Sequence, residues 1–176
     1  MDQELTEQLK RFYTLWRETD AIYEEWAKRH GISYYELLIF FSLWENGEGC
    51  TQKEICGQWM LPKQTVNSIL QNLWKREMVN FAVMEKDRRN KTVTLTDSGK
   101  RFADDMICKL QQLEKRVLQK MGLAQREALL QSTDLFNRLF REEGEAVEQI
   151  NSAAISISGN SKNGKECGNG GNHGNP

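Results

Sequence analysis

Apolar residues recur at helical spacing from Glu4 to Arg29: Leu5, Leu9, Phe12, Leu15, Trp16, Ile22, Tyr23 and Trp26. At about 100° per residue such steps gather on one side of a helix. The pattern predicts one long amphipathic helix ending near His30-Gly31, where glycine takes the left-handed position after the last turn. Ser33 is a suitable N-cap for a second helix running to about Glu45. Its stretch Leu37-Leu38-Ile39-Phe40-Phe41 is apolar most of the way round and belongs at the centre of the core. Thr51-Gln52-Lys53-Glu54 has the form of a capping box and opens a third, short helix. Ile55 and Cys56 face inward there, and Gly57 to Leu61 form a turn. Pro62 suits the first position of the next helix, where a missing N–H costs nothing, although Leu61 before it offers no capping side chain.

That fourth helix divides by face. Val66, Ile69, Leu70 and Leu73 make a buried stripe; Gln64, Asn67, Ser68, Gln71 and Lys75 lie opposite. Uncharged hydrogen-bonding groups with one cation suit the reading of base edges, and taken alone they suit a solvated polar surface equally. After Glu77 the period changes from 3.6 to 2. Val79, Phe81 and Val83 alternate with polar or small residues, and Lys91 to Leu95 alternates again through Val93. The segment Glu85–Asn90 between them is a charged turn, so two strands make a hairpin directly after a helix-turn-helix. Thr96 caps a fifth helix through Phe102, Met106, Leu110, Leu113, Val117 and Leu118, which Gly122 ends. A last helix from about Ala124 to Ile150 carries Leu129, Leu130, Leu135, Phe136, Leu139 and Phe140. From Asn151 the composition turns to Asn, Ser, Gly and Lys, and residues 151–176 are expected to form a disordered tail.

Charge sharpens this picture. Residues 1–50 carry 5 Lys/Arg and 10 Asp/Glu, residues 51–100 carry 9 and 5, and residues 101–176 carry 10 and 10. The basic island coincides with the helix-turn-helix and hairpin, and the turn itself holds Lys86, Arg88, Arg89 and Lys91, cations placed for phosphates or a narrow minor groove. The polar, acidic start carries no apolar leader and no segment is long and apolar enough to span a bilayer, so a cytoplasmic protein is expected, with no membrane partner. Cys50, Cys56, Cys108 and Cys167 have irregular spacing, which indicates neither a disulfide framework nor a zinc site. Cys167 and His173 are too few to hold a metal, and no cofactor motif occurs. Without a phosphate loop, nucleophile elbow or His-based dyad, no catalytic residue is assigned and the chain is not expected to be an enzyme.

Residues 51–100 resemble the winged helix-turn-helix of the MarR family of bacterial transcription regulators. The likeness rests on Thr51-Gln52-Lys53-Glu54-Ile55, on Lys63-Gln64-Thr65-Val66 with Leu73, and most specifically on Asp87-Arg88-Arg89 followed by Lys91, Val93, Leu95-Thr96 and Gly99. It implies a mainly α fold with a small two-stranded β wing, a winged helix-turn-helix (33–96) flanked by long dimerisation helices (1–32 and 97–150). It also implies an obligate homodimer on double-stranded DNA with a pseudo-palindromic operator. By the same resemblance Arg89 enters the minor groove, held by Asp87. Lys63, Gln64, Thr65, Asn67 and Ser68 reach bases and phosphates, and Gln71, Arg88 and Lys91 complete the DNA-binding set. Departures at Pro62, Ser68 and Glu77 leave the operator sequence open, and Glu77 in place of a glycine points to an irregular helix exit.

The resulting expectation is a homodimeric, sequence-specific transcriptional regulator, a repressor released by a small, aromatic effector. Residues 12–44 hold 10 of the 16 aromatic residues, a concentration that fits core and subunit packing or a pocket for such an effector. Two alternatives compete: a winged helix that docks only on proteins, and a thiol redox sensor using Cys56 or Cys108. The latter is opposed by the expectation that both thiols are core residues.

Overall fold

The computed structural model describes residues 2–84 and 87–160, with side chains for residues 2–82 and 91–149. It comprises α1 (Asp2–Arg29), α2 (Tyr34–Glu45), β1 (Cys50–Thr51), α3 (Gln52–Trp59), α4 (Lys63–Lys75), β2 (Val79–Met84), β3 (Asp87–Leu95) and α5 (Asp97–Asn160). Two compact units are present, Met1–Lys115 and Arg116–Pro176.

In the first unit, α1 ends as its sequence requires. Gly31 has φ +79°, its N–H bonds the Lys28 carbonyl at 3.0 Å, and the Ile32 N–H bonds that of Ala27 at 3.2 Å. These are the two bonds of a Schellman closure. Ser33 then caps α2 reciprocally: the Glu36 N–H donates to its hydroxyl at 3.2 Å, and its own N–H donates to the Glu36 carboxylate at 2.8 Å. α2 is the central element, with Leu37, Ile39, Phe40 and Leu43 buried. Around it pack Ile55 of α3, Val66, Leu70 and Leu73 of α4, Val79 and Val93 of the sheet, and Ala103, Met106, Ile107 and Leu110 of α5. The Phe40 and Phe102 rings meet with centroids 5.1 Å apart. Ser42, also fully buried, is satisfied: its hydroxyl donates to Gln58 Oε1 at 2.6 Å and accepts from Trp59 Nε1 at 2.7 Å. Gln58 in turn donates to Glu45 at 3.0 Å, so a polar network fixes α3 on α2. Trp44 and Tyr23 tie α2 and α1 to α5, donating to Asp104 at 2.8 Å and to Glu114 at 2.7 Å. Burial, then the bond to Glu114, holds the Tyr23 phenol well above its ordinary pKa.

The sheet has one strand more than its alternation predicts. β1 pairs with β3 through Cys50↔Val93 and Thr51↔Thr92, giving the antiparallel order β1-β3-β2. A two-residue strand is too short to show a period, which is why the sequence pattern misses it. β3 also reaches further into the hairpin than expected, because it begins at Asp87, inside the expected turn at 85–90. Val83 faces Lys91 but Met84 faces Asp87, so Arg88, Arg89 and Asn90 are interposed on β3 as a bulge.

In the second unit the helical run breaks where glycine predicts it, at Gly122 (φ +78°, ψ 168°). Helix then continues to Asn160, ten residues past the expected end at Ile150. Residues 151–158 contain no Gly or Pro to stop it, and Gly159 comes only one residue before the end. The rest of the expected tail, residues 161–176, lies outside the described residues. Among the described residues no helix is long and apolar enough to cross a membrane, and no group of three His, Cys, Asp or Glu could hold a metal ion.

Candidate nucleic-acid interface

The site begins with the cap of α3. The Glu54 N–H donates to the Thr51 hydroxyl at 3.3 Å, and the Glu54 carboxylate accepts from the Thr51 N–H at 2.6 Å and its hydroxyl at 2.9 Å. Those bonds, the backbone one foremost, hold the exposed Glu54 carboxyl below its ordinary pKa. α3 runs through Gly57 to Trp59, so the turn expected at Gly57–Leu61 is confined to Met60, Leu61 and Pro62. A lone interior glycine costs about 1 kcal/mol, which the packing of Ile55 and the Trp59–Ser42 bond offset. Met60 makes the reversal in the left-handed region, φ +53°, with its side chain 86% exposed.

Pro62 is the N-cap of α4 and not its first helical residue. It has extended backbone (φ −60°, ψ 137°) and no side-chain capping bond. Its fixed φ suits either position, so the sequence alone does not separate them. Gln52 supplies a different link, which leaves the first N–H groups of α4 uncapped but ties this end to α3. Its Nε2 donates to the Lys63 carbonyl at 2.8 Å, joining the first turns of α3 and α4.

α4 then presents the two faces its sequence implies. Val66, Leu70 and Leu73 are at most 1% exposed, and Ile69 is half-buried. Lys63, Gln64, Asn67, Ser68 and Gln71 are all exposed, whereas Thr65 is half-buried and set back from that row. At the far end Glu77 adopts φ +56°, so the left-handed exit forms without glycine. The Glu77 N–H bonds the Trp74 carbonyl and the Met78 N–H bonds that of Leu73, both at 2.9 Å. This is a regular Schellman closure, correcting the expectation of an irregular exit.

Between α3, α4 and the sheet lies an open groove of about 420 Å³, lined by Lys53, Lys63, Asn67, Gln71, Phe81 and Lys91 among others. The Lys91 ammonium stands 6.0 Å from the centroid of the Phe81 ring, within reach of a cation–π attraction. Three cations and three amides, Gln52 with Asn67 and Gln71, thus share one concavity. Lys53 was not singled out from sequence. The signal was there, since Ile55 is buried and a step of two residues turns a helix by about 200°, which sends Lys53 outward. For Asp87, Arg88 and Arg89 the backbone belongs to β3, but their side chains, like that of Lys86, lie outside the described residues.

The cysteines separate by environment. Cys50 is buried, and its thiol is pushed up to about 11 by that burial and then by the nearby Glu54 charge. Cys56 is half-buried and lines the groove. Cys108 is exposed, contrary to its expected place in the core, because the inward stripe of α5 runs through Ala103, Met106, Ile107 and Leu110 and leaves it outside.

No family model matches the chain. A curated relative, the HTH-type transcriptional regulator SarZ of Staphylococcus aureus, is 26% identical over 128 residues, covering 73% of this chain and 80% of its own length. Among solved structures, the MarR family regulator NMB1585 of Neisseria meningitidis superposes with a TM-score of 0.61 at 25% identity, covering 86% of this chain and 98% of that one. The DNA complex of S. aureus MepR shares the fold at a TM-score of 0.61 and 19% identity, covering 74% and 96%.

Proposed function

We propose that the chain is a winged helix-turn-helix regulator of the MarR kind, a reading supported by its likeness to NMB1585 and SarZ, and that it binds duplex DNA and regulates transcription. The observation that carries this reading is the one-sided chemistry of α4. Its inner face is sealed in the core, while its outer face offers Gln64, Asn67, Ser68 and Gln71 beside the groove holding Lys53, Lys63 and Lys91. Amides can pair bidentately with adenine in a major groove, and lysines set register on phosphates. Thr65, being half-buried, contributes a methyl or hydroxyl at the edge of the contact. On this reading Arg88 and Arg89 at the hairpin reach the flanking minor groove, with Asp87 orienting Arg89. The complex named for MepR supports a duplex as the partner class.

The working unit on this proposal is a homodimer on a pseudo-palindromic operator. Leu5, Leu9, Phe12, Leu15, Trp16 and Ile22 of α1 are all 36–60% exposed in the single chain. In the second unit Leu130, Phe136, Leu139, Phe140 and Val147 are exposed as well. Apolar rows of this extent need a second surface, and a second copy supplies it symmetrically. Repression in the cytoplasm, relieved by a small aromatic effector, completes the reading. Selection of bound duplexes from a random pool, with affinity then measured across a salt series, tests it. A palindromic consensus whose binding weakens steeply with salt is the expected result, and absence of duplex binding at low salt overturns it.

A further inference from the structure

Glu36 has two tasks. Its Oε2 closes the cap of α2, accepting from the Ser33 N–H at 2.8 Å and the Ser33 hydroxyl at 3.0 Å. Its Oε1 accepts from Arg76 Nη1 at 2.8 Å, and Arg76 is the C-cap residue of α4. The pair is set apart from Lys10–Glu7, Arg29–Glu25 and Lys109–Asp105, which each join residues one turn apart on a single well-exposed helix. Arg76–Glu36 spans 40 positions and joins two helices, with the Glu36 side chain only 15% exposed. The Arg76 side chain is 37% exposed, so the bond is shielded at its carboxylate end and open at the other, less screened than a pair exposed at both ends.

We propose that Glu36–Arg76 is a positioning strut that fixes the C-terminal end of α4 against the start of α2 and so sets the angle at which α4 is presented. The inference rests on the reading of α4 as the DNA-reading helix. The opposite end of α4 is already held by Gln52 on the Lys63 carbonyl. The far end is also held by the core stripe and by the Glu77 turn, which Thr96 anchors from the sheet side; the strut adds the tie to α2. Because the carboxylate that receives Arg76 also accepts from Ser33, four residues after the end of α1 at Arg29, the strut joins α4 directly to the segment where α1 hands over to α2. Neither residue sits on the row formed by Gln64, Asn67, Ser68 and Gln71, so each acts through the placement of that row.

Two measurements on the full-length protein test this. Hydrogen exchange of the free protein reads the strut without DNA. Arg76→Met and Glu36→Gln should each raise exchange at the amides of residues 73–78 by about three- to tenfold, the double variant no more than either alone, and Arg76→Lys should restore protection. Unchanged exchange, or additive effects, overturns the strut. The second measurement uses the duplex selected by the wild-type protein and a scrambled duplex. Arg76→Met and Glu36→Gln should shrink the affinity ratio between the two by similar factors with the salt slope unchanged. If Arg76→Met alone lowers the salt slope by about one while Glu36→Gln is silent, Arg76 is a phosphate contact and the proposal fails. If the wild-type protein selects no duplex, the DNA reading fails, and the exchange result still decides whether the strut exists.

Discussion

The Thr96 hydroxyl donates a 2.7 Å hydrogen bond to the Glu77 carbonyl and accepts one of 3.0 Å from the Gly99 N–H. One side chain thus caps α5 and anchors the exit of α4 at once. The Thr96 N–H adds a 3.0 Å bond to the Met78 carbonyl. The approach is so close that a Cβ on residue 99 would lie 2.0 Å from the Met78 oxygen, a backbone atom that cannot step aside. Gly99→Ala should therefore destabilise the fold by at least about 2 kcal/mol. Glu77→Gly removes a left-handed non-glycine residue and should stabilise it by about 0.5–1 kcal/mol. Urea unfolding of both variants checks the pair of signs.

The capping box of α3 gives a pH-dependent expectation. Thr51→Ala should cost about 1 kcal/mol at neutral pH. The folded Glu54 carboxyl has a lowered pKa, so its ionised form contributes stability that is present above the ordinary carboxyl range. That contribution is lost as pH falls through the lowered folded value. The stability difference between the wild type and Glu54→Gln should accordingly be greatest near neutrality and vanish in acid, as read from denaturation midpoints at a series of pH values.

Lys53 and Lys91 line the groove with Lys63, and each proposed phosphate contact releases counterions on binding. Lys53→Gln and Lys91→Gln should each reduce the slope of log affinity against log salt by about one. They should weaken selected and scrambled duplexes alike. Fluorescence anisotropy titrations at several salt concentrations measure this, and an unchanged slope for Lys53→Gln removes it from the contact set.

The exposed row on α1 predicts the oligomeric state. Leu9 and Trp16, 46% and 57% exposed in one chain, lie two turns apart on one side of the helix. The double variant Leu9→Asp, Trp16→Asp should sediment as a monomer at micromolar concentration where the wild type sediments as a dimer. A monomeric wild type at that concentration would leave the apolar row to some other partner.

Thiol reactivity should follow environment. At pH 8 iodoacetamide should modify Cys108 rapidly and leave Cys50 untouched, since burial and a pKa pushed up to about 11 keep its thiolate scarce. Peptide mass spectrometry of the native, pulse-labelled protein separates the sites. Fast labelling at Cys50 would show that β1 opens readily.

The helices were legible because their signals are local. Ser33, Thr51 and Thr96 cap where their side chains predict, Gly31 and Gly122 break where glycine predicts, and the stripe of α4 follows from spacing alone. What escaped depends on tertiary context. β1 exists only because β3 lies alongside it. Gly57 stays helical because Ile55 and Trp59 are tied into the core, and Glu77 turns left-handed because Thr96 and Met78 close around it. The placement of α4's polar row was legible too, but Lys53 joined it only once α3 had a fixed rotation against α4.

Thr51 has a consequence for the geometry of recognition. It caps α3 and, two atoms away along its own backbone, pairs with Thr92 on the middle strand of the sheet. The start of α3 and the middle strand of the hairpin are therefore joined at one residue. On the proposed DNA reading, a duplex engaging both helix-turn-helix and wing presents its major-groove and minor-groove features at the offset this joint sets. On that reading, inserting or deleting one base pair between them within a half-site should be more costly than changing any one base facing α4.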